Sequence, residues 1–147
     1  MRKIIKSFSI CLIIIAMMST TAFAAAPNDP DEPQSNSYIW KTTVGIAALG
    51  GGEIEIDFSV TATGKRMPDI GATRVAIYKA DGTRVADYWY TDPGYEYMIG
   101  HNRVSQTASV FYQGVSGQRY YAIVSFFVGT LGGSGGGDSL GSAIITA

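Results

Sequence analysis

Few residues in this sequence could carry out acid–base or nucleophilic chemistry. It contains one histidine, His101, and one cysteine, Cys11. A Ser-His-Asp triad would have to use His101, which lies in the turn-like segment Ile-Gly-His-Asn-Arg. The nucleophile elbow of such enzymes places its serine between a strand and a helix, and no segment after residue 24 has a helical period. A zinc site built from histidine and cysteine lacks ligands. The sequence therefore predicts a protein that is not an enzyme and has no cofactor, with His101 on a surface turn.

Acidic residues offer two further chemistries. Glu53, Glu55 and Asp57 alternate along one segment, and their spacing of about 6–7 Å in a strand is compatible with the carboxylate pair of a glycoside hydrolase. Nothing nearby suggests a pocket around them, so we interpret them as a solvated face that discourages aggregation. A calcium site using loop acids (Asp81, Asp87, Asp92) stays open, although the chain has no twelve-residue calcium loop.

Aromatic side chains are concentrated around the turn Asp92-Pro93-Gly94. Rings on both sides of a turn can form a stacking platform for sugars or a contact for a protein. Strands also favour aromatic residues, so these rings could instead complete the core, which is the interpretation that the sequence favours. Two of them share a parity and would project to the same side of an extended segment. The candidate binding residues are Tyr88, Trp89, Tyr90, Tyr95 and Tyr97, with Tyr95 and Tyr97 as the pair of equal parity.

The elements that position these residues are predicted to be strands. From Glu53 to Val60 apolar and polar residues alternate strictly, as in a strand with one buried face. Similar patterns predict about seven strands, at roughly 38–47, 53–62, 73–79, 83–91, 103–113, 118–128 and 139–146. In the first of them Tyr38, Trp40, Val44 and Ile46 share one face. This count is typical of a single immunoglobulin-like β-sandwich, with a small barrel as the alternative.

Turn signals separate the strands. Ala80-Asp81-Gly82 predicts a hairpin with a three-residue loop and Gly82 in the left-handed region. That register sets Ile77 opposite Val85 and Val75 opposite Asp87. From Gly129 to Gly137 six of nine residues are glycine, which predicts a mobile loop that adds nothing to the core.

The first 37 residues are predicted to precede the domain. Arg2, Lys3 and Lys6, an apolar run at 10–18 and the sequence Ala22-Phe23-Ala24 form a secretory signal peptide, 1–24, with cleavage after Ala24. An uncleaved membrane anchor is the alternative, but the run is short for a span. Residues 25–37 form an acidic, proline-rich linker, and the β-domain occupies 38–147. The intact mass of the secreted product would test this cleavage.

Cleavage at that site would define the mature chain. It would remove the only cysteine and three of the eleven basic residues, leaving 123 residues with a net charge near −4. That charge argues against nucleic acid and anionic lipid as partners. No second apolar run of transmembrane length follows, so we expect an extracellular protein with no span in the mature chain.

A local motif carries a family resemblance. Gly117-Gln118-Arg119-Tyr120 opens an alternating strand and is similar to the sixth-strand entrance of fibronectin type III domains, although Ser116 stands where that family usually has proline. The resemblance implies a sandwich in which Tyr120 packs and forms a hydrogen bond at a corner. The whole chain also resembles small secreted bacterial β-domain proteins of Gram-positive species, a group with no assigned activity.

The function expected from these features is a non-catalytic role outside the cell. The sequence predicts a binding or structural β-sandwich protein. The alternatives are a module that binds carbohydrate, such as a cell-wall glycan, or a surface protein through the aromatic turn, and a bacteriocin-like secreted product.

Overall fold

The structure, a computed structural model, describes residues 38–147 and is all-β over that range. The predicted signal peptide, its cleavage site at Ala24 and the linker at 25–37 lie outside the described residues. Two antiparallel sheets pack face to face around one core, which confirms the predicted β-sandwich. The strands are β1 (Ile39–Gly50), β2 (Glu53–Ala62), β3 (Met67–Lys79), β4 (Arg84–Trp89), β5 (Ile99–Arg103), β6 (Ser105–Gln113), β7 (Arg119–Gly129), β8 (Gly135–Gly141) and β9 (Ile145–Thr146).

The strand order is that of a Greek-key sandwich. One sheet has the order β1-β2-β6 and the other β4-β3-β7-β8, so three main strands pack against four. The short strand β5 extends the β4 edge of β3, and β9 extends the β8 edge of β7. Closing two sheets on one another buries a single apolar face from each.

The alternation in β2 defines one side of the core. Ile54, Ile56, Phe58 and Val60 are at most 1% exposed, and the residues between them face outward. The facing sheet contributes alternate residues of β3 and β7, among them Val75 and Phe126. A strand presents successive side chains to opposite faces, so the strict pattern of β2 was sufficient to place these residues correctly.

Tyr120 forms the corner that the fibronectin-like motif implied. Its ring is 1% exposed, and its hydroxyl accepts a hydrogen bond of 2.9 Å from the Val115 N–H. Gly114 lies under the ring, where a Cβ would come within 2.8 Å of it. The corner therefore fixes the connection between the two sheets.

Three predicted strand boundaries were wrong. The third strand begins at Met67 rather than at 73. The segment predicted at 103–113 is β6, which begins at Ser105, and β5 before it was not predicted. The last predicted strand is interrupted at Ser142, whose hydroxyl accepts from the Ala122 N–H where the ladder breaks. Weak alternation concealed these elements, since β5 and β8 consist largely of glycine and polar residues.

The glycine-rich segment is only partly a loop, contrary to the prediction. Gly129 ends β7 and Gly135–Gly137 begin β8, leaving Thr130–Ser134 as the turn. A Cβ on Gly129 would lie 2.6 Å from the Ser134 carbonyl oxygen, and one on Gly135 would overlap the Phe127 ring. Glycine is needed here because backbone and ring approach closely.

The hairpin between β3 and β4 has the predicted loop but a different register. Lys79 N–H donates to the Thr83 carbonyl and Gly82 has φ +89°, as expected for a three-residue loop. A bulge then leaves Val85 without a partner, so Ile77 pairs with Ala86, and Asp87 pairs with Ala76 rather than with Val75. A one-residue slip moves side chains to the other face, and here it turns Asp87 outward.

The predicted apolar face of β1 was wrong at its first residues, because a second bulge interrupts the strand there. Its ladder with β2 is irregular between Ile39 and Lys41. Ile39, Val44 and Ile46 pack against the core, whereas Tyr38 is 48% and Trp40 72% exposed. Trp40 and Val44 therefore lie on opposite faces, because the extra residue of the bulge reverses the alternation between them.

Candidate functional site

The aromatic turn is an excursion from one sheet edge. The chain leaves the edge of β3 after Trp89 and returns to the same edge at Ile99. Between them a 3-10 helix, Glu96–Met98, reaches across to β6 of the other sheet. Asp92 accepts a hydrogen bond from the Trp89 N–H at 2.8 Å, and Glu96 accepts one from the Gly94 N–H at 3.0 Å. Side chains of this segment therefore stabilise its own backbone.

The five predicted rings do not form one platform. Tyr88, Tyr90 and Tyr95 are half-buried and pack against the core, whereas Trp89 is 43% and Tyr97 46% exposed. Tyr95 caps the 3-10 helix and does not lie in an extended segment. The structure thus divides the set into core rings and two exposed rings on different surfaces.

Tyr97 is the outer end of a tyrosine stack. Its ring centroid lies 6.2 Å from that of Tyr95, which lies 4.8 Å from that of Tyr88. The Tyr97 hydroxyl donates to the Ser109 carbonyl at 2.8 Å, and burial raises the pKa of both Tyr88 and Tyr97. This stack closes the gap between the edge strands β4 and β6, which protects the β6 edge from pairing with another strand.

Trp89 lies on the outer face of the larger sheet, where an arginine side chain packs against one side of its ring. Arg74, its cross-strand partner on β3, places its guanidinium carbon 5.1 Å from the indole centroid. Asp87 receives two hydrogen bonds from Arg74, of 2.8 and 3.0 Å, and a further ion pair from Arg84. A bidentate pair of this kind fixes the guanidinium plane, so the indole ring is oriented before any ligand arrives.

The row that begins at Trp89 continues across the sheet. Arg74 pairs with Ser125 on β7, and Ser125 pairs with Ser139 on β8, whose hydroxyl donates to that of Ser125 at 3.2 Å. Four strands at about 4.8 Å spacing give a strip of roughly 14 Å. On β8 the residues on either side of Ser139 on this face are Gly137 and Gly141. The result is a row of residues with a ring at one end and hydroxyls at the other.

The sequence analysis identified Trp89 and named Asp87 only as a candidate calcium ligand. It did not identify Arg74, Ser125 or Ser139. Arg74 and Asp87 were visible as charges within apolar runs. The predicted register, however, placed Asp87 opposite Val75, on the core side. Only the bulge at Val85 brings the two charges to one face.

The acidic candidates lie apart from this row. Glu53, Glu55 and Asp57 face outward on the smaller sheet, where Asp57 accepts from the Ser109 hydroxyl at 2.6 Å. Asp81 and Asp92 accept from backbone N–H groups of their own turns, and Asp87 is paired with arginines. Within residues 38–147 no three histidine, cysteine or acidic side chains are grouped closely enough to hold a metal ion.

Comparison of the chain with protein-family models, with curated proteins and with solved structures found no match. Among the described residues, no helix is long and apolar enough to cross a membrane.

His101 is an exposed histidine with an oriented ring. Its Nδ1 lies 2.7 Å from Oδ1 of Asp69, and the side chains are 72% and 15% exposed, respectively. Asp69 also accepts from the Leu131 N–H at 2.8 Å, which ties the turn between β7 and β8 to β3. In the described part of the chain, no serine or threonine hydroxyl forms a hydrogen bond with His101. The pair therefore links β5, β3 and this turn.

The Asp69 pair makes a pH prediction. The Leu131 N–H, and with it His101, holds the pKa of Asp69 below its ordinary 3.8, against the raising effect of partial burial. Because the folded-state pKa is the lower one, this stabilisation is complete well above pH 3.8 and is lost as the pH falls through the folded-state value.

Asp69→Asn should therefore lower the free energy of unfolding by about 1.5 kcal/mol at neutral pH and by much less near the acid end of the transition. Urea denaturation of both proteins at neutral and acidic pH would measure the difference. Glu55→Gln, on the outward face of β2, is the control and should change stability little at either pH. A constant cost of Asp69→Asn across the range would contradict the prediction.

Proposed function

We propose that this chain is a secreted, non-catalytic binding module that recognises carbohydrate outside the cell through the row that begins at Trp89. The observation that carries the proposal is the indole ring of Trp89, 43% exposed and supported on its Arg74 side by an ion-paired guanidinium. The predicted signal peptide supports the location, since secretion would bring this face into contact with external glycans.

A sugar fits the chemistry of this row. One face of a pyranose consists of C–H groups, which pack on an aromatic ring, and its hydroxyls need hydrogen-bond partners. Ser125 and Ser139 supply hydroxyls in line with the ring, and Asp87 supplies carboxylate oxygens beside it. The strip of roughly 14 Å accommodates a short oligosaccharide laid across the strands.

The fixed geometry favours binding without reorganisation. A ring already oriented by Arg74 loses few rotamers when a ligand packs on it, which reduces the entropic cost of association. Tyr97 is the less suitable ring, because its hydroxyl is bonded to Ser109 and the ring continues the stack that closes the sandwich edge.

Retention on insoluble glycans tests the proposal. We expect the domain to be retained on at least one of purified peptidoglycan, chitin or cellulose, and Trp89→Ala to reduce retention at least tenfold. Trp40→Ala is the matched control, since Trp40 is the other tryptophan and is 72% exposed on β1. Thermal melts of the three proteins would establish that each is folded.

A second measurement uses the same pair of tryptophans. In Trp40→Phe only Trp89 remains as a tryptophan, so soluble fragments of the retained glycan should change its fluorescence. A parent protein that no glycan retains, or a folded Trp89→Ala variant with unaltered retention, would overturn the sugar assignment. Retention lost equally in both alanine variants would show non-specific adhesion.

A further inference from the structure

A cavity lies at the end of the sandwich where the described chain begins. Its volume is about 170 Å³, and it opens between the turn that joins β2 to β3 and the turn that joins β7 to β8. Sites for drug-sized ligands have volumes of roughly 300–1,000 Å³, so this cavity suits a ligand the size of one monosaccharide. Trp89 does not line this cavity, because it lies at the end of β4.

The walls of the cavity are fixed by hydrogen bonds. Thr130 N–H donates to the Ser134 carbonyl at 2.9 Å, and Gly133 N–H to the Thr130 carbonyl at 2.8 Å. The next residue, Leu131, is anchored to Asp69. Gly129 and Gly135 border the space without side chains, because a Cβ on Gly129 would overlap the Gly135 backbone and one on Gly135 would overlap the Phe127 ring. At this antiparallel pair the border of the cavity therefore consists of backbone alone.

The lining residues define the chemistry of a ligand. Lys65 supplies an ammonium group, and Thr130 and Ser134 supply hydroxyls. Met67 and Pro68 form an apolar wall, and Tyr38 adds an aromatic ring. Within residues 38–147 no carboxylate forms an ion pair with Lys65. The adjacent Arg66 and the nearby Arg103, which pairs with Met67, add positive charge at this end.

We propose that this cavity binds a carboxylated pyranose, such as a uronic acid unit. The carboxylate would meet Lys65, ring hydroxyls would meet Thr130 and Ser134, and the C–H face would lie on Met67 and Pro68. A neutral sugar would leave the ammonium group without its partner, whereas a small aliphatic acid would leave the apolar wall uncovered. This inference is independent of the function proposed for Trp89.

Titration with sodium glucuronate tests the site. Two-dimensional amide NMR of the domain should show shifts confined to the amides of residues 129–135 and 63–67, with a dissociation constant in the millimolar range. Glucose and acetate should each bind at least tenfold more weakly. Lys65→Gln should weaken glucuronate binding at least tenfold, whereas Lys79→Gln, the same change at the opposite end of β3, should leave it unaltered.

Other results would overturn the proposal. Equal binding of glucuronate and glucose would exclude recognition of the carboxylate, and equal binding of acetate would exclude recognition of the ring. Shifts centred on residues 74, 89 and 125, together with loss of glucuronate binding in Trp89→Ala, would place the ligand on the other surface. No shifts up to high millimolar glucuronate would show that the cavity takes no such ligand, whatever the outcome at Trp89.

Discussion

Replacing Phe58 by alanine is expected to lower the free energy of unfolding by about 3–5 kcal/mol. Phe58 is 1% exposed, lies between Val44 and Ala108 on its neighbouring strands, and packs edge-on against Phe126 with ring centroids 6.3 Å apart. Removing the ring loses its transfer free energy and leaves a cavity at the contact of the two sheets. Because both sheets converge there, little local movement can fill that cavity.

Phe111→Ala provides the matched control for this prediction. Phe111 lies on β6 of the same sheet, but its ring points outward and is 52% exposed. The same change of residue type should therefore cost less than about 1 kcal/mol. Urea denaturation of the parent and both variants, followed by far-ultraviolet circular dichroism, gives the comparison. Equal losses in the two variants would mean that the face of β2 is not the core.

The core was predictable because its signal is local. The four apolar residues of β2 alternate with polar ones without exception, and a strand converts that alternation directly into two faces. The corner at Tyr120 was predictable for a similar reason, since its motif lies within four consecutive residues. Fold class and the main core strands follow from such patterns without knowledge of any long-range pairing.

The remaining strands were missed because long-range pairing forms them. β5 consists of Ile99–Arg103, in which only Ile99 is apolar in character, and it is a strand because β3 offers it an edge. β8 begins with three glycines that have little intrinsic preference for a strand, but the ladder with β7 holds them. Such elements depend on their neighbours, and a single sequence does not show its neighbours.

The candidate sites also depend on long-range pairing. One depends on a bulge in a hairpin, and the other on the close approach of two paired strands. The extra residue at Val85 places Asp87 beside Arg74, and that ion pair orients Trp89. Without that bulge, the alternation of side chains along the hairpin would place Asp87 on the core face. The cavity beside Lys65 likewise depends on the close approach of Gly129 to Gly135, which composition alone indicated only as a loop.

Gly71→Ala is expected to cost about 3 kcal/mol of unfolding free energy, at the upper end of the usual cost of overpacking. Gly71 pairs with Phe127 on one side and with Ile99 on the other. A Cβ there would overlap the backbone carbonyl oxygen of Met98 and lie 2.9 Å from the Ile99 Cα. Relief would require a shift of backbone, and the fully buried Met98 side chain resists that shift because it belongs to the core.

Gly45→Ala is the control that isolates this clash. Gly45 also lies within a strand, but a Cβ there would meet only the Asp57 side chain, at an ordinary 3.8 Å. Alanine restricts the unfolded chain slightly more than glycine does, so Gly45→Ala should leave stability unchanged or raise it by a few tenths of a kcal/mol. Denaturant midpoints of the two variants make the comparison, and hydrogen exchange at residues 98–100 would locate the effect. If Gly71→Ala were as stable as Gly45→Ala, β5 would not pair with β3 at this point, and the aromatic turn would return to the sheet edge by a different path.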